Sequence, residues 1–199
     1  MRLYLVRHGQ TEDNRQRRYC GARDTPLNFQ GRRQAIALCR SGVLPRPDVV
    51  FSSPLCRSRQ TAAIVLPEHQ SVIAPELAEL RFGCWEGLCW EEIMAQDAAA
   101  YAAWLADPVR CAPPDGETVA GLSQRTGDFL RRLRAQYANK TVVCFTHAGV
   151  IQTAVCLLLG KELNAVWSVP VEAASVSFFY VEAAVVCDYY LNRRAGAPS

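Results

Sequence analysis

Three apolar runs in this chain end in the same kind of polar cluster, and no other feature restricts the fold so strongly. LYLV, Leu3–Val6, runs into Arg7, His8 and Gly9. DVVF, Asp48–Phe51, runs into SSPLCR, and TVVCF, Thr141–Phe145, runs into THAG. Short apolar runs without alternation read as strands buried on both faces, as in a parallel sheet covered by helices. Helical patterns alternate with them, which predicts an α/β domain. The expected strands are Leu3–Arg7, Val49–Ser52, Thr141–Thr146, Ser175–Glu182 and Ala184–Leu191, the last two pairing as an edge hairpin. The expected helices are Gly31–Arg40, Pro54–Leu66, Leu88–Ala106, Thr118–Ala138 and Gly149–Leu159. Pro54 stands where a first-turn proline belongs, with Ser53 as its N-cap. The polar tail NRRAGAPS is expected to fray.

Open parallel sheets bind ligands beyond the carboxyl ends of their strands. The three runs therefore bring Arg7, His8, Arg57 and His147 to one edge. Two of the chain's three histidines stand there, and the third, His69 in PEHQ, reads as a surface residue. Two arginines and two histidines repel one another unless an anion sits among them. The helix starts that follow the strands favour an anion at the same place. No carboxylate stands at ligand spacing from either histidine, and arginine neighbours disfavour a cation, so neither a metal nor a cofactor is expected.

Charge along the chain agrees with this. Residues 1–60 hold twelve arginines, no lysine and four acids, whereas the remainder is net negative, and the whole chain carries only +3. A solvated basic face would account for that charge, and so would a field drawing in a small anion; arginine's planar fork suits phosphate. The overall charge is too small to argue for nucleic acid, and no stretch approaches the roughly 20 apolar residues of a membrane span. Nor does a signal-like segment stand at the N-terminus, so a cytoplasmic protein acting on a small phosphorylated metabolite is expected. The nine cysteines are odd in number, scattered, and without a C-x-x-C pair, which argues for free thiols. At 199 residues the chain suits a single domain, 1–199. Trp85, Trp90, Tyr101 and Trp104 crowd one stretch on short helices, which reads as a lid insertion over about 80–115. The sequence leaves the oligomeric state open.

The chemistry these groups permit is phosphoryl transfer. A neutral imidazole can attack phosphorus and carry the phosphoryl group as phosphohistidine, dividing one transfer into two. Arginines beside it would hold it neutral and bind the non-bridging oxygens, and a protonated His147 would add charge on the phosphoryl group. An acid must protonate the leaving alkoxide. Glu76, Glu79, Glu86, Glu91 and Glu92 are all candidates, and bare chemistry does not choose among them.

Here the motifs resemble those of the histidine phosphatase superfamily, the group that includes cofactor-dependent phosphoglycerate mutases. RHGQTEDN resembles its R-H-G-x-T-x-x-N motif, SPLCRSRQTA its S-P-L-x-R-x-x-x-T-A, and THAGV its second histidine motif. Tyr19, Gly21, Asp24, Pro26 and Leu27 resemble a Y-x-G-x-x-D-x-P-L segment. The resemblance implies a three-layer αβα sandwich with a mostly parallel central sheet and a small helical lid. It implies that His8 is the phosphorylated nucleophile and that Arg7, Arg57 and His147 form the phosphate pocket. AELRFGCWEG resembles the family's L-x-E-x-x-F-G-x-W-E-G, which implies Glu79 as proton donor. Asn14 matches a phosphoryl-binding amide, and Cys20, Gly21 and Ala148 match positions lining the pocket. Cys20 and Ser58 depart from the family pattern, which bears on substrate preference. The compact length, FGCWEG and PPDGET are most similar to the α-ribazole phosphatases of cobalamin biosynthesis, which implies α-ribazole 5′-phosphate as substrate. Broad-specificity phosphatases, mutases that return the phosphoryl group to another hydroxyl, and non-catalytic phospho-ligand binders are the alternatives. The lid aromatics would serve equally for stacking on a benzimidazole or for packing short helices.

Overall fold

The computed structural model describes residues 1–196. Its sheet has six strands: β1 (Arg2–Arg7), β2 (Val49–Ser52), β3 (Val72–Ile73), β4 (Thr141–Thr146), β5 (Val176–Glu182) and β6 (Val185–Arg193), in the order β3-β2-β4-β1-β5-β6. The first four in that order run parallel, and β5 and β6 add on antiparallel at one edge.

Alternation along each strand divides the core in two. Leu3, Leu5, Phe51, Val142, Cys144 and Phe179 meet helices α5 (Val119–Gln136) and α6 (Ala148–Leu159) on one face. Tyr4, Val6, Val50, Val143, Phe145 and Val176 meet α2 (Phe29–Arg40) and α3 (Cys56–Val65) on the other. Both faces of the central strands are thus covered, which is why their sequences are continuously apolar. The result is the three-layer αβα sandwich around a mostly parallel sheet.

β1 and β4 lie side by side with Arg7 opposite Thr146. The chain leaves β1 toward the α2 face and leaves β4 toward the α6 face. The crevice between their carboxyl ends is therefore the point where the winding reverses.

Three elements differ from expectation. The two-residue edge strand β3, whose residues are both exposed, is not among the expected strands. α3 starts at Cys56 rather than Pro54, and its N-cap position is Leu55. Ser53 does not cap it. Instead the carboxylate of Asp24 accepts the Cys56 N–H at 2.5 Å, a cap delivered from 32 residues upstream. The last strand begins at Val185 because Ala183 and Ala184 turn the chain with left-handed backbone, φ 46° and 70°. It runs through Asn192 and Arg193, so the first part of the NRRAGAPS tail is paired strand, and its final three residues lie outside the described ones.

The tryptophan-rich stretch builds a small core of its own. Ile93, Tyr101 and Trp104 of α4 (Trp90–Ala106) are buried together with Trp85, and Tyr19, Phe82 and Leu88 pack against them. α4 is broken at Asp97, where φ is −153° and ψ 68°. The nine cysteines are free thiols, and among the described residues no helix is long and apolar enough to cross a membrane.

Candidate active site

The R-H-G turn is fixed by its neighbours before any ligand is considered. The ladder from β1 continues through His8, whose N–H donates to the Thr146 carbonyl at 3.0 Å. Gly9 then packs on α2 so closely that an added Cβ would lie 2.4 Å from the Gly31 carbonyl oxygen. Its N–H donates to Thr61 Oγ1 at 3.1 Å, and Thr61 in turn donates to the Arg57 carbonyl at 2.7 Å. The two motifs are thereby tied to each other.

The partners of the imidazoles decide their tautomers. His8 Nδ1 lies 2.6 Å from the Gly9 carbonyl, which can only accept, so Nδ1 carries the proton and Nε2 keeps its lone pair. Arg57 Nε–H sits between the two rings, 3.3 Å from His8 Nε2 and 3.2 Å from His147 Nδ1. His147 is then protonated on Nε2, which donates to Ser53 Oγ at 2.8 Å and approaches Ser58 Oγ at 3.3 Å. Ring centroids of the histidines are 5.1 Å apart, edge to face. Both are buried. Burial first, then Arg57 and Arg7, holds the His8 pKa well below the ordinary 6.5 despite the Gly9 hydrogen bond. Burial, then Arg57, His8 and Arg7, does the same for His147. His147 is therefore neutral here, a hydrogen-bonding group rather than an added positive charge.

The arginines are held as firmly. Arg57 is fully buried; its Nη1 donates to the Arg23 carbonyl at 2.6 Å and its Nη2 to that of Gly21 at 2.7 Å. One N–H on each terminal nitrogen remains beyond these bonds. Arg7 Nη1 donates to the Val171 carbonyl at 2.5 Å, and its buried Nε has no partner among the described residues.

His8, Arg7, Arg57, Glu79, Asn14, Cys20 and Gly21 line one cavity of about 380 Å³ together with Arg18, Tyr19 and Phe82, and the exposed Arg17 and Trp90 mark its mouth. His147 lies beneath it and acts on it through Arg57, and Ala148 begins α6 outside the lining. The T-x-x-N spacing proves to be a capping box on the short helix α1 (Glu12–Arg15). Thr11 Oγ1 accepts the Asn14 N–H and Asn14 Oδ1 accepts the Thr11 N–H, leaving the Asn14 NH₂ as the free donor. Cys20 Sγ is 3.2 Å from Thr25 Oγ1 and 3.4 Å from Asp13 Oδ2, and burial raises its pKa, so it is a thiol rather than a thiolate.

Of the five candidate acids, Glu79 alone lines the cavity. Glu76 pairs with Arg132 and Glu92 with Arg18, while Glu86 accepts the N–H groups of Ala22 and Phe82. Glu91 neither lines the cavity nor joins an ion pair among the described residues. Glu79 Oε1 accepts the Leu80 N–H at 2.9 Å and Oε2 the Gly149 N–H at 3.3 Å, at the start of α6. A Cβ at Gly149 would lie 2.5 Å from Glu79 Oε1, so a side chain there would push the carboxylate out of this position.

Sequence reasoning missed the support for this acid. Arg125, in mid-α5, donates to the carbonyls of Glu76, Ala78 and Glu79 at 2.7, 2.6 and 3.1 Å. Glu117 holds its guanidinium by two bonds of 2.8 and 2.9 Å. The only sequence signal was an arginine within an amphipathic helix, which any surface would produce. Among the described residues no three His, Cys, Asp or Glu side chains converge as a metal site.

A buried neutral imidazole between arginines, at the winding reversal of a parallel sheet, is a site suited to an anionic ligand. Comparison with known proteins agrees: residues 3–184 match the histidine phosphatase superfamily (branch 1), and the chain belongs to that family. It is a phosphoric monoester hydrolase. It is 34% identical over 197 residues to the adenosylcobalamin/alpha-ribazole phosphatase of Escherichia coli K12, covering 98% of this chain and 97% of that one. It is 32% identical over 184 residues to phosphoserine phosphatase 1 of Hydrogenobacter thermophilus, covering 92% and 87%. The crystal structure of the alpha-ribazole phosphatase from Shigella flexneri superposes with a TM-score of 0.90 at 32% identity, over the full length of both chains.

Proposed function

We propose that the chain hydrolyses its phosphate ester through a phosphohistidine on His8, and that the ester is α-ribazole 5′-phosphate of cobalamin biosynthesis. The observation that carries the mechanism is the fixed His8 tautomer: Nδ1–H is tied to Gly9, which leaves the lone pair on Nε2 of a ring that lines the cavity. Nε2 attacks phosphorus as the ester P–O bond breaks, and Glu79 gives its proton to the leaving oxygen. Water then attacks the phosphorus of the P–N bond, Glu79 takes the proton back, and inorganic phosphate leaves. Arg7, the free N–H groups of Arg57 and the Asn14 amide stabilise the non-bridging oxygens, and His147 orients Arg57. Residues of the 80–115 stretch act as the lid over the alcohol half. The substrate reading rests on the likeness to α-ribazole phosphatases along the whole chain.

His8→Ala is expected to lower phosphate release by on the order of 10⁴-fold or more, since it removes the nucleophile itself. Normal turnover by this variant in the presence of EDTA would end the covalent mechanism. A phosphate-release screen over sugar, nucleotide and amino-acid monophosphates, with α-ribazole 5′-phosphate included, tests the substrate. Isomerised sugar phosphate in place of free phosphate would mark a mutase.

A further inference from the structure

The aromatic residues near the cavity are of two kinds. Trp85, Tyr101 and Trp104 are 2%, 7% and 4% exposed, and Trp104 meets Trp85 edge-on at 5.6 Å, so they are core. Trp90 is 51% exposed, pairs with no other ring among the described residues, and stands at the cavity mouth. The first position of a helix does not require an indole, and packing does not use this one. A half-exposed tryptophan on the rim of a catalytic cavity leaves a flat apolar face directed to whatever enters.

Arg17, on the same rim, is the second observation. Arg15 pairs with Glu12 and Arg18 with Glu92, but Arg17 has no ion pair among the described residues. Its backbone is left-handed, φ 55°, a conformation disfavoured for a non-glycine residue. An exposed guanidinium stacks on aromatic planes as readily as it binds anions.

We propose that Trp90 and Arg17 form the subsite for the alcohol half of the ester, and that this subsite selects alcohols bearing a planar heteroaromatic ring. The ring lies on the Trp90 indole with the Arg17 guanidinium against it, while the phosphate lies at His8. The proposal deepens the phosphatase reading and rests on it for the placement of the phosphate. A cavity of about 380 Å³ is in the range, roughly 300–1,000 Å³, of sites that enclose a ligand of nucleotide size. An acyclic ester such as phosphoserine would use Arg17 for its carboxylate and leave Trp90 idle.

The test compares α-ribazole 5′-phosphate and adenosine 5′-monophosphate with ribose 5-phosphate, which has the same ester and no heteroaromatic base. Trp90→Ala is expected to lower kcat/KM for the ring-bearing esters about 10–100-fold, mainly through KM, as loss of one stacked base does. Ribose 5-phosphate should change by no more than about twofold, since stacking is all that is removed. Trp90→Phe should recover most of the loss, and Arg17→Gln should show a smaller effect of the same selectivity. Equal losses on esters with and without the base, or no preference for the base in the parent protein, would overturn the subsite. Binding of the same esters to His8→Ala separates the two readings. A Trp90-dependent preference for the ring in Kd keeps the subsite even if the His8 chemistry fails, and its absence removes the subsite even if phosphate is released.

Discussion

The two ends of the active-site cavity are built on opposite principles. At the end where we propose that phosphate binds, Arg7, His8, Arg57 and His147 grow from the ends of β1 and β4 and from the first turn of α3, and hydrogen bonds to backbone or neighbouring side chains fix all four. At the mouth, Arg17 and Trp90 come from the turn after α1 and the start of α4, exposed, without ion pair or ring partner among the described residues. Reaction of a phosphate ester needs the same charges in the same places whatever the alcohol, so that end is held by the sheet. Selection among alcohols needs a surface that can change without disturbing the sheet, and loops supply it.

The largest break in this comparison is expected from Arg57→Gln. It removes the cation between the imidazoles and strips donors from the Gly21 and Arg23 carbonyls, so turnover should fall on the order of 10³-fold. The pH profile carries the sharper information. His8 must be neutral to attack, so kcat/KM falls as pH drops through its depressed pKa. Burial is the first cause of that depression and Arg57 the second, and losing this cation moves the pKa back up toward 6.5. The acid limb of the profile should therefore move to higher pH in Arg57→Gln and stay in place in Arg57→Lys, which keeps the charge but not the fork. An unmoved limb in the glutamine variant would show that the arginine does not tune the nucleophile.

A smaller effect is expected one step away, at Arg125. Arg125→Met leaves three carbonyls and the Glu117 carboxylate without their donor, at a cost of about 2–3 kcal/mol in stability. Because Glu79 then moves more freely, kcat for alkyl phosphates should fall about tenfold through misplacement of the proton donor. p-Nitrophenyl phosphate, whose phenolate leaves without a proton, should be nearly unaffected. Equal losses on both esters would make Arg125 a stabilising residue only.

The contrast between the two ends also explains what the sequence revealed. Arg7, His8, Arg57 and His147 were legible because each follows an apolar run within a few residues, so strand and functional group sit in one short word. Glu79 was legible only through the family resemblance. Its neighbours Glu76, Glu86 and Glu92 look alike in sequence, and only the folded chain shows each committed to another partner. The start of α3 was misjudged because Ser53-Pro54 is locally a good helix start. Ser53 Oγ instead accepts from His147 and from the Leu55 N–H, and Asp24 caps the helix from another segment. Arg125 and Glu117 were invisible for the same reason: their function is a contact between α5 and a distant loop, and no local pattern encodes it. The packed and the exposed tryptophans of the 80–115 stretch were likewise indistinguishable until burial separated them.

The smallest expected effect lies beneath the arginine–histidine cluster, at Ser58. Ser58 is fully buried, but its hydroxyl is 3.3 Å from His147 Nε2 and 3.4 Å from the Thr146 carbonyl, both at the outer limit of a hydrogen bond. Ser53, at 2.8 Å, is the partner that holds His147. Ser58→Ala should therefore cost less than about 1 kcal/mol and leave kcat within about twofold, because the His147 Nε2–H keeps its acceptor. Ser53→Ala should cost about 1–3 kcal/mol, since it leaves the Leu55 N–H without an acceptor and the Nε2–H with only the long contact to Ser58. Urea unfolding of the two variants measures the difference. If Ser58→Ala were the more damaging, His147 Nε2 would be accepting from Ser58 rather than donating to Ser53. The tautomer would then be reversed, and Arg57 could not donate to His147 Nδ1 while reaching His8.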